Sequence, residues 1–461
     1  MAGKTFYLET FGCQMNVHDS ERVAGTLVAQ GYAPVGTMQE AGLILFNTCS
    51  IRDKAAQKVF DRLANTKALA KQGKQFGVLG CVAQAEGEAI FQRAPHVALV
   101  AGSASYPKLP ELIAQLEAGE RRVRGLGEAE DAAFETELTR RDHPFRAFVT
   151  IIEGCDKHCA YCVVPYTRGK ERSRASAAIL REVAQLVELG YTEVQLLGQN
   201  VNSYRDPSPA GLDFAALLAA VGEVPGLRRV RYTTSHPRDF TPAIVAAMAR
   251  NPVLCDHVHL PVQSGSNAVL RQMRRGYTRE QYLEIIAAIR SCPRPLAVTT
   301  DIIVGFPGET DADLEQTLDL MRQVRYSGAF IFKYSPRPHT EAQAWEDSIP
   351  DAEKTERLMV LQRRQQELQL EDNQAFVGQT LEVMVEAYHP KLDQWAGRSS
   401  SNRVVNFAAI VAPPAPPPAA LAILGQAAAP PPPRPGTLAP GAYCPVRIEK
   451  AGPNSFVGRQ A

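Results

Sequence analysis

Two hydrophobic rhythms divide the chain. In the first 119 residues, short apolar runs alternate with longer stretches of helical period. Thr5-Phe6-Tyr7-Leu8, Leu43-Ile44-Leu45-Phe46 and Phe76-Gly77-Val78-Leu79 are separated by segments such as 20–30 and 53–71. Strand-helix-strand units of roughly 30 to 36 residues predict a parallel sheet, because parallel neighbours need a crossover that a helix supplies. A second series begins at Phe148, with apolar strands at 148–152, 193–197, 229–233, 257–262, 298–304 and 329–333. Helical stretches at 175–189, 240–250, 279–290 and 311–324 fall between most of them. Six such units are too few to close an eight-fold barrel; they predict a partial (βα)6 barrel, open on one side to a large substrate. Over 351–376, Leu358, Leu361 and Leu368 share one helix face among Arg and Gln, which predicts a connector packed across the barrel. Beyond it, 380–386, 403–410 and 443–449 read as strands of a small β-barrel. The fold class is α/β, with domains at 4–119, 141–373 and 376–458. Residues 119–142, polar and centred on Glu128-Ala129-Glu130-Asp131, read as a linker. Within the last domain, 18 of the 24 residues over 412–435 are Pro or Ala, a composition that builds no core.

Composition narrows the setting. At 461 residues and 45% apolar content, two or three domains can each enclose a core. No apolar stretch reaches the roughly 18 residues that span a bilayer, and no charged-then-apolar leader opens the chain, so a cytoplasmic protein is expected. Nine cysteines there are metal ligands or reduced core residues rather than a disulfide framework. A net charge of +1 excludes a generally basic polymer-binding protein, but a local basic patch remains compatible with RNA.

The chemistry gathers after strands. Cys13, Cys49 and Cys81 each follow one of the first three apolar runs. Parallel strands end on one edge, so thiols far apart in sequence are brought together there. A denser group follows Phe148: Gly154-Cys155-Asp156-Lys157-His158-Cys159-Ala160-Tyr161-Cys162. Three thiols at CxxxCxxC spacing can converge on one metal centre. A cubane iron-sulfur cluster takes one thiolate per iron, so three would leave the fourth iron open. Zinc with a fourth ligand, for which His158 lies inside the loop, and buried free thiols are the other readings. Polar clusters close the later strands: Gly198-Gln199-Asn200-Val201-Asn202, Thr234-Ser235-His236-Pro237, Gln263-Ser264-Gly265-Ser266, Gly305-Phe306-Pro307-Gly308-Glu309 and Ser335-Pro336-Arg337-Pro338. Each alone is ordinary turn chemistry. In phase with the cysteine loop they form a ring. Cys255, Cys292 and Cys444 have no partner at metal spacing and read as structural.

CxxxCxYC, with Tyr161 before the third thiol, resembles the signature of the radical S-adenosylmethionine (SAM) enzymes. The order of three strand-end cysteines, this barrel and a small terminal barrel is similar to the methylthiotransferases of that superfamily. Phe11-Gly12-Cys13-Gln14-Met15-Asn16, Asn47-Thr48-Cys49-Ser50-Ile51-Arg52, Cys162-Val163-Val164-Pro165-Tyr166-Thr167-Arg168-Gly169, Leu196-Leu197-Gly198-Gln199-Asn200-Val201-Asn202 and Asn402-Arg403-Val404-Val405-Asn406-Phe407 most resemble the members that act on N6-isopentenyladenosine in tRNA. The resemblance implies two [4Fe-4S] clusters: a radical SAM cluster on Cys155, Cys159 and Cys162, and an auxiliary cluster on Cys13, Cys49 and Cys81. It also implies two SAM molecules per turnover, one cleaved to a 5'-deoxyadenosyl radical and one giving its methyl group to the sulfur delivered to C2 of the base.

Tyr161, Gln199, Asn200, Ser235 and Gln263 are expected to line the SAM pocket, with Asp301 inside the barrel. The terminal domain resembles the RNA-binding TRAM barrel, from which the Pro/Ala insertion departs. Expected partners are the tRNA anticodon stem-loop, an electron donor of flavodoxin or ferredoxin type and a sulfur donor system, with the chain a monomer and no membrane involved. Phosphate contacts are expected from Arg168, Arg398 and Arg403, with Lys170, Arg172, Arg174, Arg274 and Arg275 as further candidates. Competing functions are methylthiolation of threonylcarbamoyladenosine in tRNA or of a ribosomal-protein aspartate, and a non-catalytic iron-sulfur RNA-binding redox sensor.

Overall fold

The structure, a computed structural model, describes residues 4–50, 53–127, 138–141, 143–209, 211–409 and 438–461. Its first six strands are β1 (Thr5–Phe11), β2 (Ala33–Pro34), β3 (Leu43–Thr48), β4 (Gln75–Gly80), β5 (Val97–Ala101) and β6 (Val123–Gly125). They form one all-parallel sheet in the order β2-β1-β3-β4-β5-β6. Every residue of β3 is buried, as a central strand covered on both faces requires. Helix Gln14–Ala29 covers one face with Val23 and Leu27, and helix Asp53–Asn65 covers the other with Val59 and Leu63. Strand order therefore reverses between β1 and β3, and the crevice at their carboxyl ends is where such sheets bind ligands. Helix Gln14–Ala29 starts six residues before the apolar period announces it, because beside Met15 its first turns bury the polar Asn16, His18, Asp19 and Ser20.

The barrel strands are β7 (Arg146–Thr150), β8 (Ile152–Glu153), β9 (Arg172–Ser173), β10 (Glu193–Leu197), β11 (Arg229–Thr233), β12 (His257–His259), β13 (Ala297–Val304) and β14 (Gly328–Lys333). Six of them make two parallel three-stranded sheets, β7-β10-β11 and β12-β13-β14, while β8 and β9 pair as a separate antiparallel ribbon. The sheets meet where Val230 N donates to Val253 O at 2.8 Å and Cys255 N to Val230 O at 3.0 Å. An arc results, with β7 and β14 as its edges. The strand expected over 257–262 is regular only over His257–His259; Pro261 has no N–H to give the ladder, and pairing with β13 resumes at Gln263.

Alternation assigns the two faces. Val149, Val194, Leu196, Val230, Val258, Val298, Ile302 and Ile331 join the helix-side core. Phe148, Thr150, Gln195, Thr233, His259, Asp301 and Phe330 alternate with them and face the lumen. In helix Asp351–Gln374, fully buried Leu361 and Leu368 join that same core, so this helix straps the arc as its pattern predicts.

The terminal strands β15 (Thr380–His389), β16 (Gln394–Ser399), β17 (Val404–Ala408), β18 (Tyr443–Ala451) and β19 (Ser455–Gln460) close a barrel in the order β15-β16-β17-β19-β18. The 412–435 insertion lies outside the described residues. This barrel covers the amino ends of the central strands. Arg229 donates to the carbonyls of Arg398 (2.7 Å) and Glu382 (2.9 Å), and Arg231 to those of Ser399 (2.8 Å) and Ser400 (3.0 Å). The Arg228 guanidinium lies 3.7 Å from the Tyr443 ring centroid. The carboxyl ends, where barrel enzymes do chemistry, stay clear.

The end of the expected linker is not a free connector. Arg140 N donates to Glu21 O at 3.0 Å, and fully buried Arg141 reaches Glu182 (2.5 Å), Glu21 (3.5 Å) and the carbonyl of Phe148. These contacts fasten helix Gln14–Ala29 to the barrel.

Candidate active site

The CxxxCxYC loop leaves β8 through Gly154, whose φ of +79° and position 2.0 Å from Lys170 O, measured from an added Cβ, admit no side chain. Gly154 N donates to Gln199 Oε1 at 2.6 Å, and Cys155 N to Gly169 O at 3.1 Å. Further along, Ala160 N donates to Met273 O (3.1 Å) while its own carbonyl receives Ala342 N (2.9 Å). The loop is thus held on both sides. Burial, with the neighbouring Cys159 adding to it, pushes the Cys155 thiol up to about 11 and the Cys162 thiol up to about 12. Thiols grouped closely enough to raise one another suit iron, whose binding displaces their protons. Among the described residues, no three His, Cys, Asp or Glu side chains are set to hold a single metal ion. A cubane asks for something else, one thiolate at each of three separate iron corners. Arg275 borders this loop: its Nη1 donates to Cys159 Sγ at 3.4 Å and to Tyr161 Oη at 3.3 Å.

Around the loop, the strand-end residues take distinct places. Asn200, 2% exposed, donates to Asp239 at 2.6 Å and accepts from His236 N at 3.1 Å. Gln263 adopts a left-handed φ of 73° and exchanges backbone hydrogen bonds with Asp301 O and Ile303 N, both 2.9 Å. A non-glycine residue strained at a strand end is a feature of ligand sites. Asp301 lies on the lumen face, 3.6 Å from His259 Nε2. Ser235 is 2% exposed and its hydroxyl has no hydrogen-bond partner among the described residues; the same holds for lumen-facing Thr150. Buried hydroxyls left unsatisfied fit a polar ligand that completes them.

At the crevice of the first sheet, Gly12 (φ +144°) brings Cys13 and Cys49 together; a Cβ there would fall 2.3 Å from that of Cys49. Its hydrogen bond with Cys49 leads the causes that bring the Cys13 thiol down to about 6, with Arg168 assisting against burial. Two fully buried amides lock the pair of loops. Asn47 Nδ2 donates to Asn16 O (2.9 Å), Asn16 Nδ2 donates to Asn47 Oδ1 (3.1 Å), and Cys13 Sγ donates to Asn16 Oδ1 (3.1 Å). Cys81, at the end of β4, receives Arg168 Nε at 3.2 Å. Arg168 itself belongs to helix Val164–Arg168, which follows Cys162 directly. Next to Cys13, Gln14 exchanges amide hydrogen bonds with lumen-facing Gln195 (3.0 and 3.3 Å). The two thiol triplets therefore address the same end of the barrel.

Most of the basic residues expected at phosphates are engaged elsewhere. Arg168 is buried on Asp19 (2.6 Å) and Cys81, Arg174 is buried on Glu182, and Arg275 is buried at the cysteine loop. Arg403 donates to Asn373 (3.1 Å) and lies over the Phe376 ring at 4.5 Å. Arg398 pairs with Glu386 (3.2 Å), and Arg172 with Glu153 (3.2 Å). Arg274 pairs with Glu341 at the surface (2.6 Å), and Lys170 is exposed. Arg168 is thus no phosphate ligand: its partners, Asp19 and Cys81, lie far away in sequence. The Asn16–Asn47 pair is likewise not visible along the chain, although both residues lie inside cysteine motifs and mark where to look.

The barrel and its loop define the class. The radical SAM superfamily profile matches residues 149–321, and that of "uncharacterized protein family UPF0004" matches residues 5–102. Such enzymes employ SAM and a [4Fe-4S] cluster. The fold is shared with the radical SAM methyltransferase TsrM of Kitasatospora setae, at a TM-score of 0.56, 14% identity and 74% and 75% of the two chains. Nearer relatives are the tRNA-2-methylthio-N(6)-dimethylallyladenosine synthases of Solibacter usitatus, 59% identical over 100% of this chain and 99% of that protein, and Koribacter versatilis, 56% identical over 99% and 98%. The chain belongs to the tRNA-2-methylthio-N(6)-dimethylallyladenosine synthase family.

Proposed function

We infer that this chain is a tRNA-modifying transferase that places a methylthio group on C2 of N6-dimethylallyl (isopentenyl) adenosine 3' of the anticodon. Full-length identity to enzymes of that name supports the reaction. The observation that carries the site assignment is the meeting of two thiol triplets at one barrel end, through Arg168 and through Gln14–Gln195. In this reading Cys155, Cys159 and Cys162 hold the radical SAM cluster, and Cys13, Cys49 and Cys81 hold a second, auxiliary [4Fe-4S] cluster that carries the sulfur.

C2 of adenine is neither acidic nor electrophilic enough for side-chain chemistry; the cluster and SAM, when bound, supply the 5'-deoxyadenosyl radical. The chain's own residues do the rest. Gln199 holds the turn into the cysteine loop, Tyr161 and Arg275 wall it, and Ser235 and Thr150 offer unsatisfied hydroxyls to SAM, with Asn200 and Gln263 shaping the same rim. Asp301 and Phe330 line the lumen where the base enters. Phe330 is 54% exposed on the edge strand and gives a purine an aromatic face to stack upon. Two SAM molecules are used per turnover, one for the radical and one as methyl donor. An external one-electron donor of flavodoxin or ferredoxin type and a sulfur donor complete the cycle, with the chain acting as a monomer. The terminal barrel is an RNA-contacting domain, and no helix among the described residues is long and apolar enough to cross a membrane.

The test is anaerobic incubation of reconstituted protein with SAM, reductant and an anticodon stem-loop carrying the prenylated adenosine, followed by nucleoside mass spectrometry. Methylthiolated nucleoside is expected. Product on a threonylcarbamoyladenosine stem-loop alone would reassign the substrate, and no 5'-deoxyadenosine at all would leave only the redox-sensor reading.

A further inference from the structure

Each thiol triplet is touched by one buried arginine from outside its own cysteine motif: Arg275 at Cys159 and Arg168 at Cys81. The second contact crosses between domains. Helix Val164–Arg168 runs straight on from Cys162, and its last residue inserts a guanidinium, 5% exposed, beside the first-sheet crevice. The partners are divided. Nη2 meets Asp19 Oδ2 at 2.6 Å, while Nε is aimed at Cys81 Sγ at 3.2 Å. An arginine serving only to pair a carboxylate favours a two-pronged grip on both oxygens. Here Asp19 Oδ1 has no hydrogen-bond partner among the described residues, and the Nε donor is given to sulfur.

We propose that Arg168 is a positioning residue that sets the reduction potential of the auxiliary cluster, its Nε–H and charge on Cys81 favouring the reduced state, with Asp19 opposing it. The proposal rests on the reading of Cys13, Cys49 and Cys81 as that cluster's ligands. Hydrogen bonds to cluster sulfurs and local net charge are the levers by which proteins move such potentials, and burial magnifies both. Because Arg168 is carried on the segment leaving Cys162, the auxiliary cluster acquires this setting only when the radical SAM loop is seated against the first domain.

The experiment is an EPR-monitored redox titration of the anaerobically reconstituted full-length protein as wild type, Arg168→Gln, Arg168→Lys and Asp19→Asn. The auxiliary midpoint should fall in Arg168→Gln, fall less in Arg168→Lys and rise in Asp19→Asn, while the radical SAM cluster's midpoint follows none of them. A purely structural Arg–Asp pair predicts no such opposition of sign. An auxiliary midpoint that stays put in Arg168→Gln and Asp19→Asn, or moves the same way in both, overturns the proposal. Should Arg168→Gln not hold the auxiliary cluster, the Asp19→Asn midpoint decides alone. Wild-type protein with only about four irons per chain would instead remove the ligand reading on which the proposal rests.

Discussion

Removing Arg141 should loosen the first domain from the barrel. Its guanidinium is 1% exposed and joins Glu182 at 2.5 Å, Glu21 at 3.5 Å, His18 Nδ1 at 3.3 Å and the Phe148 carbonyl. Breaking a buried ion pair from one side costs about 3 to 5 kcal/mol. Glu182 keeps Arg174, and Glu21 keeps a hydrogen bond with neutral His18, so the lower figure applies, about 3 kcal/mol. For a unit of 150 to 250 residues that lowers the melting temperature by about 6 to 12 °C. The pH dependence adds a sign. Burial, then Arg141 and Arg22, hold His18 well below 6.5, so the docked state excludes a proton that the freed histidine would bind. Burial opposes ionisation of Glu182, yet Arg141 and Arg174 still hold it below 4.5. Both contributions are present at neutral pH. That of His18 is lost as pH falls below 6.5, and that of Glu182 below 4.5. Differential scanning calorimetry of Arg141→Ala and wild type at pH 8 and pH 5.5 measures this. A transition less than about 3 °C lower at pH 8, or wild-type stability unchanged between the two pH values, would refute the docking role of this cluster.

Further outcomes follow from the same geometry. Gly12→Ala forces a Cβ to within 2.3 Å of Cys49 at a left-handed φ, so it should lose the auxiliary cluster, read as a fall of about four irons per chain with 5'-deoxyadenosine formation retained. Ser235→Ala removes one ligand hydrogen bond of about 0.5 to 1.5 kcal/mol, weakening SAM binding by about 2- to 12-fold in calorimetric titration of the reconstituted protein. Phe330→Ala forfeits a stacking face worth about 1 to 3 kcal/mol per base, so binding of the prenylated stem-loop should weaken about 5- to 150-fold in an anaerobic filter assay. Replacing Cys155, Cys159 or Cys162 with Ala should abolish 5'-deoxyadenosine release, whereas replacing Cys13, Cys49 or Cys81 should spare part of it and stop sulfur insertion.

The elements that announced themselves in sequence were those with an apolar period: β3, the six barrel strands, helix Arg279–Arg290 and helix Asp311–Val324. Those that did not had polar residues on the buried side or too few residues to show a period. The first turns of helix Gln14–Ala29 bury an amide and ionic face, β16 alternates through Gly397 and Arg398, and β2 has two residues. The cysteines were legible because spacing and strand ends are local facts. Arg168 was not, since its meaning depends on Asp19 and Cys81, more than eighty residues upstream, and local context suggested phosphate. The partners of Arg398 and Arg403, Glu386 and Asn373, are equally beyond the reach of local sequence context.

The central claim is that six named thiols hold two separate cubanes. Iron and sulfide analysis with Mössbauer spectroscopy on anaerobically reconstituted wild type and the two triple Cys→Ala variants tests it most directly. About eight irons per chain, falling to about four in each variant with the remaining spectrum intact, is the predicted result. About four in the wild type, or loss of all iron from either variant, would contradict it.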